Sequence, residues 1–300
     1  MLLTEFLKEG ISSLEGLYPS DEARSIILML CQARIGTKSY THIVEPDYVI
    51  NDSSLPDLKA DLARLMKNEP IQYVIGKAEF CGYTFNVNNS VLIPRPETEI
   101  LCKEAVKIGS RIQRMRAAYG KTAESVRILD ICTGSGNIAW TMALSIPGAK
   151  VIGVDISEKA LAVAESQNFN DLLKEKDASA PQFMQADILE EDLKLDYGSF
   201  DLILSNPPYI LNAEKPLIRP NVLEYEPAIA LFVPDDDPLV FYKAIAKWSS
   251  RFLSSEGRGL AEINETLAPE CQEIFKSQGF SSIDVMKDIY DKNRFVLYMK

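Results

Sequence analysis

Hydrophobic positions divide the chain into three stretches of different period. Over residues 2–67 apolar side chains recur at helical spacing, as Ile26, Leu28, Leu30 and Ala33 and again as Leu58, Leu62 and Leu65, which predicts a group of helices. Residues 72–75, 83–87 and 91–93 are short pieces rich in Tyr, Phe and Val between Gly and Asn turn signals, and predict the strands of a hairpin linker. Pro94 and Pro96 then stiffen the entry to a helix starting near Glu97. After Ser125 strand and helix patterns alternate. Strands are predicted at 127–131, 150–156, 182–186, 200–205, 258–263, 282–285 and 294–299, and helices at 138–145, 158–175, 239–253 and 267–277. That alternation predicts an α/β fold with a doubly wound, mostly parallel sheet. The last two strands lack a long helix between them, so one of them should run antiparallel. The chain therefore divides into a helical N-terminal domain over 1–70, a β-hairpin linker over 71–96 and an α/β domain over 97–300.

Composition narrows what such a fold does. With 300 residues, 46% hydrophobic and 25% charged, the chain is long enough for two cores. No apolar run approaches the roughly 20 residues that span a bilayer, and Glu5, Lys8 and Glu9 interrupt any signal-peptide core at the start. A cytoplasmic address and no membrane partner are expected. Cys31, Cys81, Cys102, Cys132 and Cys271 are scattered without a paired spacing and His42 is the only histidine, so neither a disulfide framework nor a metal site is expected. A net charge of −11 argues against a grip on a phosphate backbone. The basic run Lys107, Arg111, Arg114, Arg116 and Lys121 reads as a solvated helix face.

Chemistry gathers at strand ends. The turn Cys132, Thr133, Gly134, Ser135, Gly136 lies between a strand and a helix, where two glycines let a backbone approach a ligand; a plain tight turn is the alternative. Nineteen residues beyond Gly136, Asp155 ends the second strand, placed to accept from a ribose diol. Asp187 and Ile188 follow the third strand, where an adenine ring would lie, although Asp187 serves equally well as a helix cap. These features fit an adenosine compound without separating a nicotinamide from S-adenosylmethionine. The fourth strand ends Asn206, Pro207, Pro208, Tyr209. Two prolines remove backbone N–H groups and leave carbonyls as acceptors. The Asn206 side-chain oxygen and the Pro207 carbonyl can each take one hydrogen of a planar NH₂ group, and Tyr209 can stack on its plane. Such a group is a poor nucleophile that needs alignment with a methyl sulfonium, which favours S-adenosylmethionine.

With these residues in view the chain resembles the HemK/PrmC family of protein-(glutamine-N5) methyltransferases over nearly its full length. Besides the glycine turn and Asn206 to Tyr209, the matching pieces are Glu69-Pro70-Ile71-Gln72-Tyr73-Val74-Ile75-Gly76, Val91-Leu92-Ile93-Pro94-Arg95-Pro96-Glu97-Thr98-Glu99 and Glu226-Pro227-Ala228-Ile229-Ala230-Leu231. The resemblance implies a Rossmann-like, seven-stranded class I methyltransferase domain behind a helical domain that recognises substrate. It implies S-adenosylmethionine along Cys132, Thr133, Gly134, Ser135, Gly136, Asp155, Asp187, Ile188 and Asn206. It further implies catalysis by Asn206, Pro207 and Tyr209, with Pro208 joining them in binding the glutamine of a Gly-Gly-Gln motif in peptide chain release factors. Cys132 departs from the glycine that many members carry there. Arg95, Glu97 and Thr98 are expected to order a loop over the cofactor. The rivals are a glutamine of a ribosomal protein and, against the acidic charge, the adenine N6 of a nucleic acid. A regulatory adenosine-binding module without turnover is a third.

Overall fold

Helices Leu3–Leu14, Ser20–Ile35, Thr41–Val44 and Leu55–Leu65 occupy the stretch of helical spacing, in a computed structural model that describes residues 1–121, 124–190 and 198–300. With Ile71–Ile75 and the short helix Pro220–Tyr225 they form one unit, Met1–Lys77 and Ile218–Tyr225. Its core is built on Phe6, Leu14, Ile27, Leu30, Leu58 and Leu65, all fully buried. Arg34 fixes two of the helices by donating to Asp61 Oδ2 at 2.6 Å and to the Val74 carbonyl at 2.7 Å.

Two expected strands are not there. Residues 72–75 belong to the helix Ile71–Ile75, because Pro70 stands at its N-cap, where a missing N–H costs nothing, and Gly76 closes it in the left-handed region at φ 74°. These ends override the β propensity of Tyr73, Val74 and Ile75. The hairpin is instead β1 (Lys77–Phe80) with β2 (Tyr83–Asn86). Residues 91–93 form no strand either, and the Ile93 N–H goes to the Glu226 carboxylate at 3.1 Å.

The second unit, Ala78–Leu217 and Glu226–Lys300, carries the sheet. Its strands in chain order are β3 (Arg127–Ile131), β4 (Lys150–Asp155), β5 (Gln182–Gln185), β6 (Phe200–Ser205), the two-residue pair β7 (Ile210–Leu211) and β8 (Phe232–Val233), β9 (Leu253–Glu262), β10 (Ser282–Lys287) and β11 (Asn293–Met299). Seven of them form one sheet in the order β10-β11-β9-β6-β3-β4-β5. Only β11 runs against its neighbours, as the missing helix before it predicted. All six residues of β6 are buried, since helices cover both faces of a parallel sheet. Side chains alternate accordingly: Leu129, Ile131 and Ile203 join one core with Tyr242 and Phe275, while Ile128, Leu202 and Leu204 join another with Trp140. Burial of each large side chain contributes about 1.5–3 kcal/mol.

Two expected elements change length. The helix expected over 158–175 is two helices, Glu158–Glu165 and Asn170–Glu175. The chain leaves helical form between them because Phe169 packs on Phe85 and Trp140. The Gln167 amide is tied to both backbone polar groups of Asn86 and to the Ser135 carbonyl. β9 begins at Leu253, five residues before the expected start, with a register shift against β6 between Phe200 and Leu202. Because β3 pairs with β4 on one side and β6 on the other, the chain reverses its winding there, and a crevice opens at the carboxyl ends of β3 and β6. No helix among the described residues is long and apolar enough to cross a membrane.

Candidate active site

The crevice is a cavity of about 280 Å³ within the second unit. Its walls include Cys132, Thr133, Gly134 and Ser135 from the turn after β3, Asp155 from β4, Asp187 and Ile188 after β5, and Asn206 and Pro208 after β6. Of the residues singled out from sequence, Gly136, Pro207 and Tyr209 do not line it, although Pro207 and Tyr209 flank Pro208, which does.

Three of the five residues in the turn after β3 have positive φ: Cys132 at 60°, Gly134 at 55° and Gly136 at 76°. The two glycines serve different ends. A Cβ on Gly134 would meet no protein atom within 4 Å, so that position opens onto the cavity. A Cβ on Gly136 would lie 3.0 Å from Ala164 Cβ and from Phe183 Cζ, so that glycine serves close packing. Cys132 holds a left-handed backbone with a side chain, at a cost of about 1–2 kcal/mol. A glycine at this place would avoid that cost. Burial, and then the negative charges of Asp155 and Asp130, push its thiol well above the usual range.

Two carboxylates hold the turn in shape. Asp130, fully buried on β3, accepts from Thr133 Oγ1 at 2.6 Å and from the Ala139 N–H at 3.1 Å, both at Oδ2. Its Oδ1 is buried without a hydrogen-bond partner among the described residues. Burial pushes this carboxyl up to about 7, with the two hydrogen bonds pulling the other way. Asp155 accepts from the Gly134 N–H at 2.9 Å and the Ser157 N–H at 3.0 Å, one at each oxygen, and burial raises it against those bonds. Each of its oxygens keeps a lone pair for a ligand diol. Asp187 caps its own turn by accepting from the Leu189 N–H at 2.8 Å, and it also lines the cavity.

At the end of β6, Ser205 Oγ donates to the Ile131 carbonyl at 2.8 Å and ties the two strand ends together. Asn206 Nδ2 donates to Thr98 Oγ1 at 3.1 Å. Thr98 in turn donates to Glu262 Oε2 at 2.7 Å, and the Tyr209 hydroxyl donates to Glu262 Oε1 at 2.9 Å. The Tyr209 carbonyl accepts from Asn264 Nδ2 at 3.2 Å. Burial raises the Glu262 carboxyl, while Thr98, Tyr209 and the positive charge of Arg294 pull it down. Burial and the neighbouring Glu262 also raise the Tyr209 phenol, which is a hydrogen-bond donor and not a base.

A latch adjoins another part of the wall. Arg95 Nη2 lies 2.7 Å from Glu226 Oε1, whose side chain is only 1% exposed, and the same carboxylate holds the Ile93 N–H. Leu92, Pro94 and Arg95 on one side and Ile229 and Ala230 on the other line the cavity next to this pair. Asp130, Glu226 and Glu262 were not picked out by the strand-end pattern. Glu226 had a signal in its motif with Pro227, whereas nothing near Glu262 in sequence marks it. His42 pairs with Arg24 in the first unit, and Arg116 of the basic run holds Asp201 at 2.6 Å and the Ser125 carbonyl.

Residues 5–76 match the PrmC N-terminal domain and residues 123–286 a methyltransferase domain. The chain is 37% identical over 297 residues to the release factor glutamine methyltransferase of Flavobacterium psychrophilum, covering 99% of this chain and 98% of that protein. Identity is 36% over 294 residues to the protein of the same name from Bacteroides thetaiotaomicron, covering 98% of each. With that of Chlorobaculum tepidum it is 34% over 273 residues, covering 91% and 88%. A glycine turn, a strand-end acid and an Asn-Pro-Pro-Tyr end set around one cavity, in a chain this similar along its length to those enzymes, place it in the release factor glutamine methyltransferase family.

Proposed function

We propose that this protein transfers a methyl group from S-adenosylmethionine to the side-chain amide nitrogen of the glutamine in the Gly-Gly-Gln motif of peptide chain release factors. The observation that carries the reading is the placement of Asn206 on the cavity wall with its amide nitrogen already spent on Thr98. Its oxygen has no hydrogen-bond partner among the described residues and is free to accept from an incoming donor. A primary amide offers two N–H donors, and Asn206 Oδ1 with the Pro207 carbonyl supplies two acceptors for it.

The cavity suits the methyl donor on its own terms. Gly134 leaves open space where a side chain would stand, Asp155 and Asp187 bring carboxylates, and Ile188 brings an apolar face. Cys132, Thr133, Gly134 and Ser135 would hold the methionine end, with Gly136 shaping the turn behind them; Asp155 would hold the ribose, and Asp187 and Ile188 the adenine. When bound, S-adenosylmethionine supplies an electrophilic methyl on a positively charged sulfur. The residues after β6 then do two things. Asn206 and Pro207 orient the amide, trading an encounter for a fixed approach. Their oxygens also stabilise the positive charge that develops on nitrogen. Pro208 forms wall beside them, and Tyr209, held by Glu262, closes the turn from behind. A proton leaves the nitrogen once the new bond has formed, so no side-chain base is required.

The test is mass spectrometry of a purified release factor after incubation with the protein and S-adenosylmethionine, beside Asn206→Ala. One added methyl on the Gly-Gly-Gln glutamine, absent with the variant, is expected. A methyl on a ribosomal protein or on adenine instead would replace the substrate assignment, and cofactor binding without transfer to any of them would favour a regulatory module.

A further inference from the structure

Resting on the reading above, the geometry points to Thr98 and Glu262 as positioning residues: a one-way hydrogen-bond relay from Glu262 through Thr98 fixes which end of the Asn206 amide faces the substrate nitrogen. The two ends of an asparagine amide have the same shape and opposite polarity. Against a glutamine NH₂, which presents only donors in its plane, Asn206 is useful with Oδ1 forward and repulsive with Nδ2 forward. Something other than shape has to choose.

The choice can be traced atom by atom. Glu262 is 1% exposed and takes the Tyr209 hydroxyl at Oε1 and the Thr98 hydroxyl at Oε2, so both of its oxygens act as acceptors. Thr98 has a single hydroxyl proton, and at 2.7 Å it is committed to that carboxylate. What Thr98 then shows Asn206 is a lone pair, so only Nδ2 can meet it, as it does at 3.1 Å. Oδ1 is left on the side of the cavity. Thr98 is itself held in place, 1% exposed at the first residue of the helix Thr98–Ala118, with its N–H on the Arg95 carbonyl. The polarity of the substrate-facing atom is thus set by a carboxylate two hydrogen bonds away. Burying an acid costs free energy unless it is well bonded, and this one is placed where its acceptor-only character does the sorting.

The test compares wild type, Thr98→Val, Thr98→Ser and Glu262→Gln. Turnover is measured with labelled S-adenosylmethionine and a purified release factor, and the cofactor dissociation constant by calorimetry. Thr98→Val keeps the shape and removes the relay, so kcat should fall about 100-fold, the scale for losing one oriented polar group in an active site. The cofactor dissociation constant should stay within about threefold, which separates positioning from general damage. Thr98→Ser restores the hydroxyl and should recover turnover to within about fivefold of wild type. Glu262→Gln has one accepting oxygen for two donors and should lose at least about tenfold. Wild-type turnover in Thr98→Val, or a Thr98→Ser protein no better than Thr98→Val, overturns the relay. So does a Thr98→Val protein that loses cofactor binding along with turnover, since Thr98 is then only structural support. A wild-type enzyme that binds cofactor and methylates no release factor is a different failure, because it removes the glutamine reading itself.

Discussion

Two of the strand ends that wall the cavity present polar groups by opposite means. After β3 the work is done by backbone: three left-handed residues in five bend the chain, Asp155 of the next strand holds the Gly134 N–H, and Asp130 of the same strand holds the Thr133 hydroxyl and the Ala139 N–H. After β6 it is done by side chains, each anchored by a residue far away in sequence, with Thr98 and Glu262 lying 164 positions apart. A backbone site demands particular conformations and tolerates many neighbours. A side-chain site demands particular partners. The first should therefore govern cofactor affinity and the second turnover.

Asn206→Ala gives the largest expected effect and the sharpest check on this contrast. Turnover on a release factor should drop by about 10³, with the cofactor dissociation constant within about threefold of wild type. Equal losses in both would break the distinction. Gly134→Val acts from the other side, adding a branched side chain at φ 55° in the open space of the cavity. Calorimetry should show cofactor binding weakened by about 100-fold, roughly half from backbone strain of about 1–2 kcal/mol and the rest from lost room. Arg95→Ala removes the partner of a carboxylate that is 1% exposed and so loosens the wall formed by Leu92 and Pro94. Cofactor affinity should fall about tenfold, and an unchanged value would detach the latch from the cavity.

The smallest effect on catalysis belongs to Asp130, where the readout is stability. Its carboxyl is raised in the folded protein from the ordinary 3.8 to about 7, so the folded state holds the proton more tightly than the unfolded one. The stability this contributes is complete below pH 3.8 and is lost as pH rises to about 7. Asp130→Asn keeps an oxygen for Thr133 and Ala139 and cannot ionise. Chemical denaturation across that range should show wild type losing on the order of 3–4 kcal/mol relative to the variant. Parallel curves would mean that Asp130 stays ionised throughout.

What sequence discloses follows the same division. The strands of the parallel sheet were legible because burial on both faces makes them continuous apolar runs, as at Leu202, Ile203 and Leu204. The glycine turn was legible because its chemistry is local. Where local preference met a stronger constraint the expectation failed: Pro70 and Gly76 make a helix of residues rich in β propensity, and Gln167 and Phe169 interrupt a helix that periodicity would have continued. Glu262 was hidden because its meaning comes only from Thr98 and Tyr209, which the fold brings to it. The motif points Gly136 at the ligand and does not show its packing, where the missing Cβ makes room for Ala164, Phe183 and Trp140.

Cys132 turns this enzyme into its own probe. Cys31, Cys102 and Cys271 are buried in cores, and Cys81 is half-buried in the loop between β1 and β2, leaving Cys132 as the thiol on the cavity wall. With its acidity suppressed it should alkylate slowly, since the thiolate is the reacting form. Filling the cavity with the methyl donor or its demethylated product should slow it further. A time course of alkylation read by peptide mass would then report occupancy of an unmutated active site, without a label and without turnover.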